Sequence, residues 1–115
     1  IMKSTFNYQQ KIAMMRILFD IIQADGRIDA REIFYFNKLK EELDLSNDSR
    51  KDITDKNSLL AMLQVRSFSK EQKKFFAKLM SDMIVVDEDI DANEVAIYNV
   101  VQEYCGIENP FDENL

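Results

Sequence analysis

Residues 20–32, DIIQADGRIDARE, return 62 positions later as residues 82–94, DMIVVDEDIDANE. Asp20, Ile22, Asp25, Ile28, Asp29, Ala30 and Glu32 recur as Asp82, Ile84, Asp87, Ile90, Asp91, Ala92 and Glu94. Downstream, Asn37 and Glu41 recur as Asn99 and Glu103; upstream, Gln10 and Lys11 recur as Gln72 and Lys73. Each copy reads as a helix, a carboxylate-rich turn and a second helix. A repeat of this size predicts two similar units packed on one another, because neither alone buries its apolar face. The acidic turns are the first place to look for function.

Composition supports that reading. A chain of 115 residues with 46% hydrophobic content is long enough for one cored domain and too short for two. Two glycines and one proline leave few breaks, and Leu, Met, Lys, Glu, Gln and Ala favour helices over strands. The expectation is all-α: a compact bundle of about five main helices forming a single domain over residues 1–115. Repeat one spans about 5–45, a connector about 46–57, repeat two about 58–107, and a tail 108–115.

Within this frame the first helix runs from about Thr5 to Ala24, capped by Ser4, with an apolar stripe of Tyr8, Ile12, Met15, Phe19 and Ile22. Asp25 and Gly26 end it. A second helix covers about Ala30 to Leu43, with Ile33, Phe36, Leu39 and Leu43 on one side. The polar stretch SNDSRKDITDKN, 46–57, reads as an irregular and mobile connection. A short helix follows over Ser58 to Val65. Ser69 and Gln72 have capping-box spacing and open a helix that ends near Val86, carrying Phe75, Phe76, Leu79, Met80, Met83 and Ile84 inward. The last helix runs from about Ala92 to Cys105 and stops at Gly106.

A net charge of −6 argues against nucleic-acid binding, which needs clustered cations. Lys70, Lys73, Lys74 and Lys78 read as the solvated face of a helix. The lone Cys105 forms no internal disulfide and fits a reducing compartment. No apolar run approaches the ~18 residues of a spanning helix, and no signal-peptide pattern is visible, so a cytoplasmic location without membrane insertion is expected. Whether Ile1 and Met2 are native is left open.

The plainest role for the turns is helix initiation. Asp29 and Asp91 stand at N-cap positions, Glu32 and Glu94 three residues on, and Ile28/Ile33 and Ile90/Val95 at staple positions. Asp20 and Asp82 each follow a base, Arg16 or Lys78, by four residues, the spacing of a surface ion pair. Asp25 and Asp87 fit less well, because the C-terminal end of a helix disfavours negative charge. In the second turn Asp87, Glu88, Asp89, Asp91 and Glu94 crowd into eight residues, an oxygen-rich setting suited to Ca²⁺ or Mg²⁺. The candidate metal ligands are therefore Asp87, Asp89, Asp91 and Glu94, with a weaker counterpart at Asp25, Asp29 and Glu32. A standard EF-hand loop is rejected, since Ala92 replaces the glycine at position 6 and Tyr98 the bidentate glutamate at position 12.

Two copies of this motif in an all-helical chain resemble the TerB-like (tellurite-resistance TerB) family. The residues that carry the resemblance are Asp25, Gly26, Ile28, Asp29 and Glu32, and Asp87, Ile90, Asp91 and Glu94, within about residues 5–107. Glu88 departs from the glycine the family favours after the second Asp. The resemblance implies a helical bundle of two related halves, a link to bacterial stress responses, tellurite resistance and phage defence, divalent-cation binding at acidic positions, and membrane-associated partners.

The chain contains no histidine, and no Ser or Cys has an activating partner by pattern, so an enzyme is not expected, nor an organic cofactor. Two readings remain. One is a cation-binding module built on the acidic turns. The other is a protein-interaction or scaffold domain whose turns are only caps. Phe34, Tyr35 and Phe36 point in three directions on a helix, so one face cannot bury them all; Phe34 and Tyr35 are the candidate partner-binding residues.

Overall fold

Six helices account for most of the residues that the computed structural model describes, namely 6–24, 26–27, 29–86 and 90–107. They are α1 (Tyr8–Gln23), α2 (Ala30–Glu42), α3 (Ser49–Asp55), α4 (Ser58–Arg66), α5 (Lys70–Val85) and α6 (Ala92–Cys105). No strand occurs among the described residues. The radius of gyration, 13.2 Å, matches the ~13 Å of one compact body of this size.

The apolar content of α1 explains the layout. Ala13, Met14, Met15, Leu18 and Ile21 are wholly buried, with Ile12, Ile17 and Ile22 nearly so, and these positions go most of the way round the helix. A helix apolar on all sides must be enclosed. All five other helices pack against α1, α4 most extensively. Around it α5 contributes Phe76, Leu79, Met80, Met83 and Ile84, and α6 contributes Tyr98, Val101 and Cys105.

Where α1 begins differs from expectation. Its N-cap is Asn7: the Gln10 amide donates to Asn7 Oδ1 (2.8 Å), and the Asn7 amide donates to Gln10 Oε1 (2.9 Å). This reciprocal box satisfies two amides that a start at Ser4 would place elsewhere; Ser4 and Thr5 lie outside the described residues. Tyr8 is consequently not part of the core stripe. It is exposed, and its hydroxyl donates to Asp52 on α3.

The connector is the larger correction. Instead of an irregular loop, residues 49–55 form α3, which packs on α1. Its start is held by Ser49, whose hydroxyl donates to the Ser46 carbonyl (2.6 Å), and Ile53 is buried. Its end is held by Arg16, which donates to the Thr54 carbonyl (2.8 Å) and more distantly to that of Ile53 (3.5 Å). A guanidinium at a helix C-terminus satisfies orphan carbonyls and complements the dipole. One apolar residue in a polar stretch is enough when a long-range cation supplies the rest.

The other ends follow local chemistry. Asn57 caps α4, Ser69 and Gln72 form the expected box on α5, and Gly106 ends α6 in the left-handed region at φ 69°. Asp44 takes the same conformation after α2 at φ 59°, letting the Leu45 amide reach back to the Lys40 carbonyl (2.9 Å). Gly26 is left-handed beyond α1, as its position suggested. Residues 108–115 lie outside the described residues.

Arg16→Met keeps the bulk of the side chain and removes its donors. We expect a loss of about 1–3 kcal/mol, because carbonyls at the end of α3 lose a charged partner. Urea denaturation measures it, and a change below about 0.5 kcal/mol would contradict the role given to Arg16.

Candidate functional site

Both helix starts that follow the acidic turns share one geometry. Asp29 Oδ1 accepts from the amides of Arg31 (2.8 Å) and Glu32 (3.3 Å). Asp91 Oδ1 accepts from those of Asn93 (2.8 Å) and Glu94 (3.1 Å). The two N-cap assignments therefore hold, each through a single carboxylate oxygen. The third-position glutamates are buried deeply, Glu32 at 2% exposure and Glu94 at 1%. Both carboxyls are thereby almost wholly removed from water.

Of the seven candidate metal ligands, four are placed: Asp29, Glu32, Asp91 and Glu94. Asp25, Asp87 and Asp89 lie outside the described residues, as does Glu88. Among the described residues no three acidic, histidine or cysteine side chains converge as a metal site would require. The described carboxylates thus do not by themselves form one. Ile28 is also outside the described residues, and Ile90 is 60% exposed, so it adds little as a staple against Val95.

Asp20 and Asp82 make the ion pairs their spacing predicts, Arg16 Nη2 to Asp20 Oδ1 at 3.0 Å and Lys78 Nζ to Asp82 Oδ2 at 3.1 Å. Each also reaches a neighbouring helix, which spacing cannot reveal. Asp20 Oδ2 accepts from the Ser58 hydroxyl of α4 (2.7 Å), and Asp82 Oδ2 from the Tyr35 hydroxyl of α2 (3.4 Å). These recurring aspartates serve as cross-braces.

The three aromatics in a row separate as their helical angles require. Phe36 is buried, Tyr35 is half-buried with its hydroxyl on Asp82, and Phe34 is 73% exposed. Burial and the adjacent Asp82 charge hold the Tyr35 phenol well above its ordinary range. Of the two expected partner-binding residues, Phe34 alone projects outward. Cys105 is buried and donates to the Met62 carbonyl (3.4 Å); burial pushes its thiol up, against the opposing pull of Lys73 and Arg66. It is an inert packed thiol.

Two features escaped sequence reasoning. The first is a cleft of about 550 Å³ between α2 and α3, floored by Phe19, Ile33, Phe36, Leu45 and Ile53. It exists because residues 49–55 are helical, so a reading of that stretch as loop conceals it. The second is the outer face of α4 and its neighbour α6, where Leu59, Leu60, Leu63, Val100 and Tyr104 are all exposed. Arg66 lies over the Tyr104 ring at 5.2 Å. The signal was present in SLLAMLQVR, residues 58–66, which is apolar on more sides than one buried stripe needs.

No protein-family model matches the sequence, and no curated protein does. Among solved structures, a protein of unknown function, PG1108 from Porphyromonas gingivalis W83, superposes with a TM-score of 0.75. The alignment is 23% identical and covers 90% of this chain and 88% of that one. At that identity the likeness is one of fold. No helix among the described residues is long and apolar enough to cross a membrane.

Asp29→Ala and Asp91→Ala should each cost about 0.5–2 kcal/mol, seen as lower melting temperatures, with Asn at either position retaining most of the stability. Unchanged melting in both alanine variants would contradict the cap geometry. Tyr35 predicts a pH dependence. The folded state holds its proton more tightly, so above the ordinary phenol value of about 10 the unfolded chain binds fewer protons and stability falls as pH rises. Urea midpoints between about pH 8 and 11 should fall less steeply for Tyr35→Phe; equal slopes would sink the assignment.

Proposed function

We propose that the chain is a non-enzymatic, TerB-like helical module that binds another protein, and that its acidic turns serve chiefly to start helices. The observation that carries this reading is the α4–α6 outer face, with five large apolar side chains in water. Exposed apolar groups concentrated on adjoining helices mark interaction surfaces. From Lys56 to Arg66 there is no acidic residue, in a chain with 21 of them, so the fitting partner is an amphipathic segment with acidic flanks. Phe34 is a second, separate contact, since α2 packs chiefly on α1 and α5. The absence of histidine from the sequence and the buried state of Cys105 support a non-catalytic role.

The module is built, on this reading, from two copies of one unit, α1–α2 and α5–α6. Supporting it, α1 and α5 both have 16 residues and begin 62 positions apart, and α2 and α6 begin at the same offset. The offset also relates the Asn7 and Ser69 boxes, the Asp29 and Asp91 caps, buried Glu32 and Glu94, and left-handed Asp44 and Gly106.

A second reading keeps a divalent cation, Ca²⁺ or Mg²⁺, at the second turn. It is favoured by the use of Oδ1 alone in each cap and by the buried glutamate beside it. Bacterial stress response, tellurite resistance and a membrane-associated partner belong to the TerB resemblance in either case.

Affinity capture with the wild-type chain and with Leu59→Glu plus Leu63→Glu, both folded by circular dichroism, tests the first reading. A partner retained by the wild type and lost by the variant is expected; equal retention overturns the face. Calorimetric titration with Ca²⁺ and Mg²⁺, comparing the intact chain with Asp87→Asn plus Asp91→Asn, decides the second. Heat that disappears in the folded variant would move the function to the turns.

A further inference from the structure

The cleft between α2 and α3 has a chemistry of its own. Its floor is apolar and drawn from three helices and the segment after α2, with the Phe19 and Phe36 rings 6.0 Å apart and inclined at 48°. Its volume of about 550 Å³ lies within the ~300–1,000 Å³ of small-molecule sites. Lys40 from α2 and Arg50 from α3 both line the cleft. Neither makes an ion pair or side-chain hydrogen bond with a described residue, whereas Arg16 and Lys78 are both paired. Glu41 is the one acidic group on the rim, and Asn37 and Asn47 add neutral donors.

Two cations thus stand beside an apolar floor on a chain of net charge −6. We infer that this cleft binds a small amphipathic monoanion, its apolar body on Phe19, Phe36 and Leu45 and its carboxylate or equivalent head between Lys40 and Arg50. The floor provides the hydrophobic term, roughly 25 cal/mol per Å² of apolar surface covered. The rim provides discrimination, since a neutral head forgoes both charges and a cationic head meets them as repulsion. The site is independent of the α4–α6 face and of the acidic turns.

Nitrogen–proton NMR titration of the intact chain with decanoate, decanol and decyltrimethylammonium, each below its aggregation concentration, tests this. Decanoate should shift the amides around Ile33, Phe36, Leu45 and Ile53 and bind more tightly than decanol, with the cation weakest. Lys40→Gln and Arg50→Gln should each weaken decanoate about two- to fivefold and leave decanol unchanged. Glu41→Gln should tighten decanoate, which keeps the test valid if a cation variant misfolds. Decanol binding as tightly as decanoate would overturn the inference, as would shifts centred elsewhere, substitutions without effect, or absence of binding at millimolar ligand.

Discussion

The enclosure of α1 governs the rest of the molecule. Eight of its sixteen residues are buried, over most of its circumference, so only a narrow strip that includes Tyr8, Gln9 and Gln23 meets solvent and neighbours must cover the rest. Its few polar side chains then acquire an unusual importance. Arg16 and Asp20 sit where α1 meets α3 and α4, and between them they hold the Thr54 carbonyl and the Ser58 hydroxyl. The apolar surface determines that α3 and α4 must pack on α1; these polar contacts determine how they are aligned. Removing such a donor costs most at the part-buried Ile53 carbonyl, whereas the exposed Thr54 carbonyl can turn to water instead.

The same division of labour extends to four of the recurring carboxylates. Asp29 and Asp91 define where helices begin, and Asp20 and Asp82 tie adjacent helices together. Each of these four carboxylates has a structural partner among the described residues. An acidic turn is therefore weak evidence for a ligand until its cap bonds have been subtracted.

How much was readable in advance depends on the range of the interaction. Helix starts at Ala30, Lys70 and Ala92 and the stop at Gly106 follow from side chains within four residues, and the sequence reading located them. The all-α class follows from the same local signals. α3 was missed because its evidence is distant: its carbonyls are held by Arg16, some 38 residues earlier, and its only buried apolar side chain is Ile53. The start of α1 was misread because Ser4 resembles a cap as well as Asn7 does, and only the Gln10 box distinguishes them. The outward turn of Phe34 was expected from its angle on the helix, but the hydrogen bond holding Tyr35 to Asp82 spans 47 residues and left no local mark.

The surfaces that remain after these structural roles are assigned differ in kind from the acidic turns. The α4–α6 face and the α2–α3 cleft are both largely apolar, with Arg66 beside the first and Lys40, Arg50 and Glu41 lining the second, on a chain whose net charge is strongly negative. Folding alone gives no reason to leave Leu59, Leu63 and Val100 in water, since a polar side chain at each would suit the helix equally and reduce aggregation. Helix starts and cross-braces use the carboxylates of Asp20, Asp29, Asp82 and Asp91, none of which lines the cleft or lies within α4.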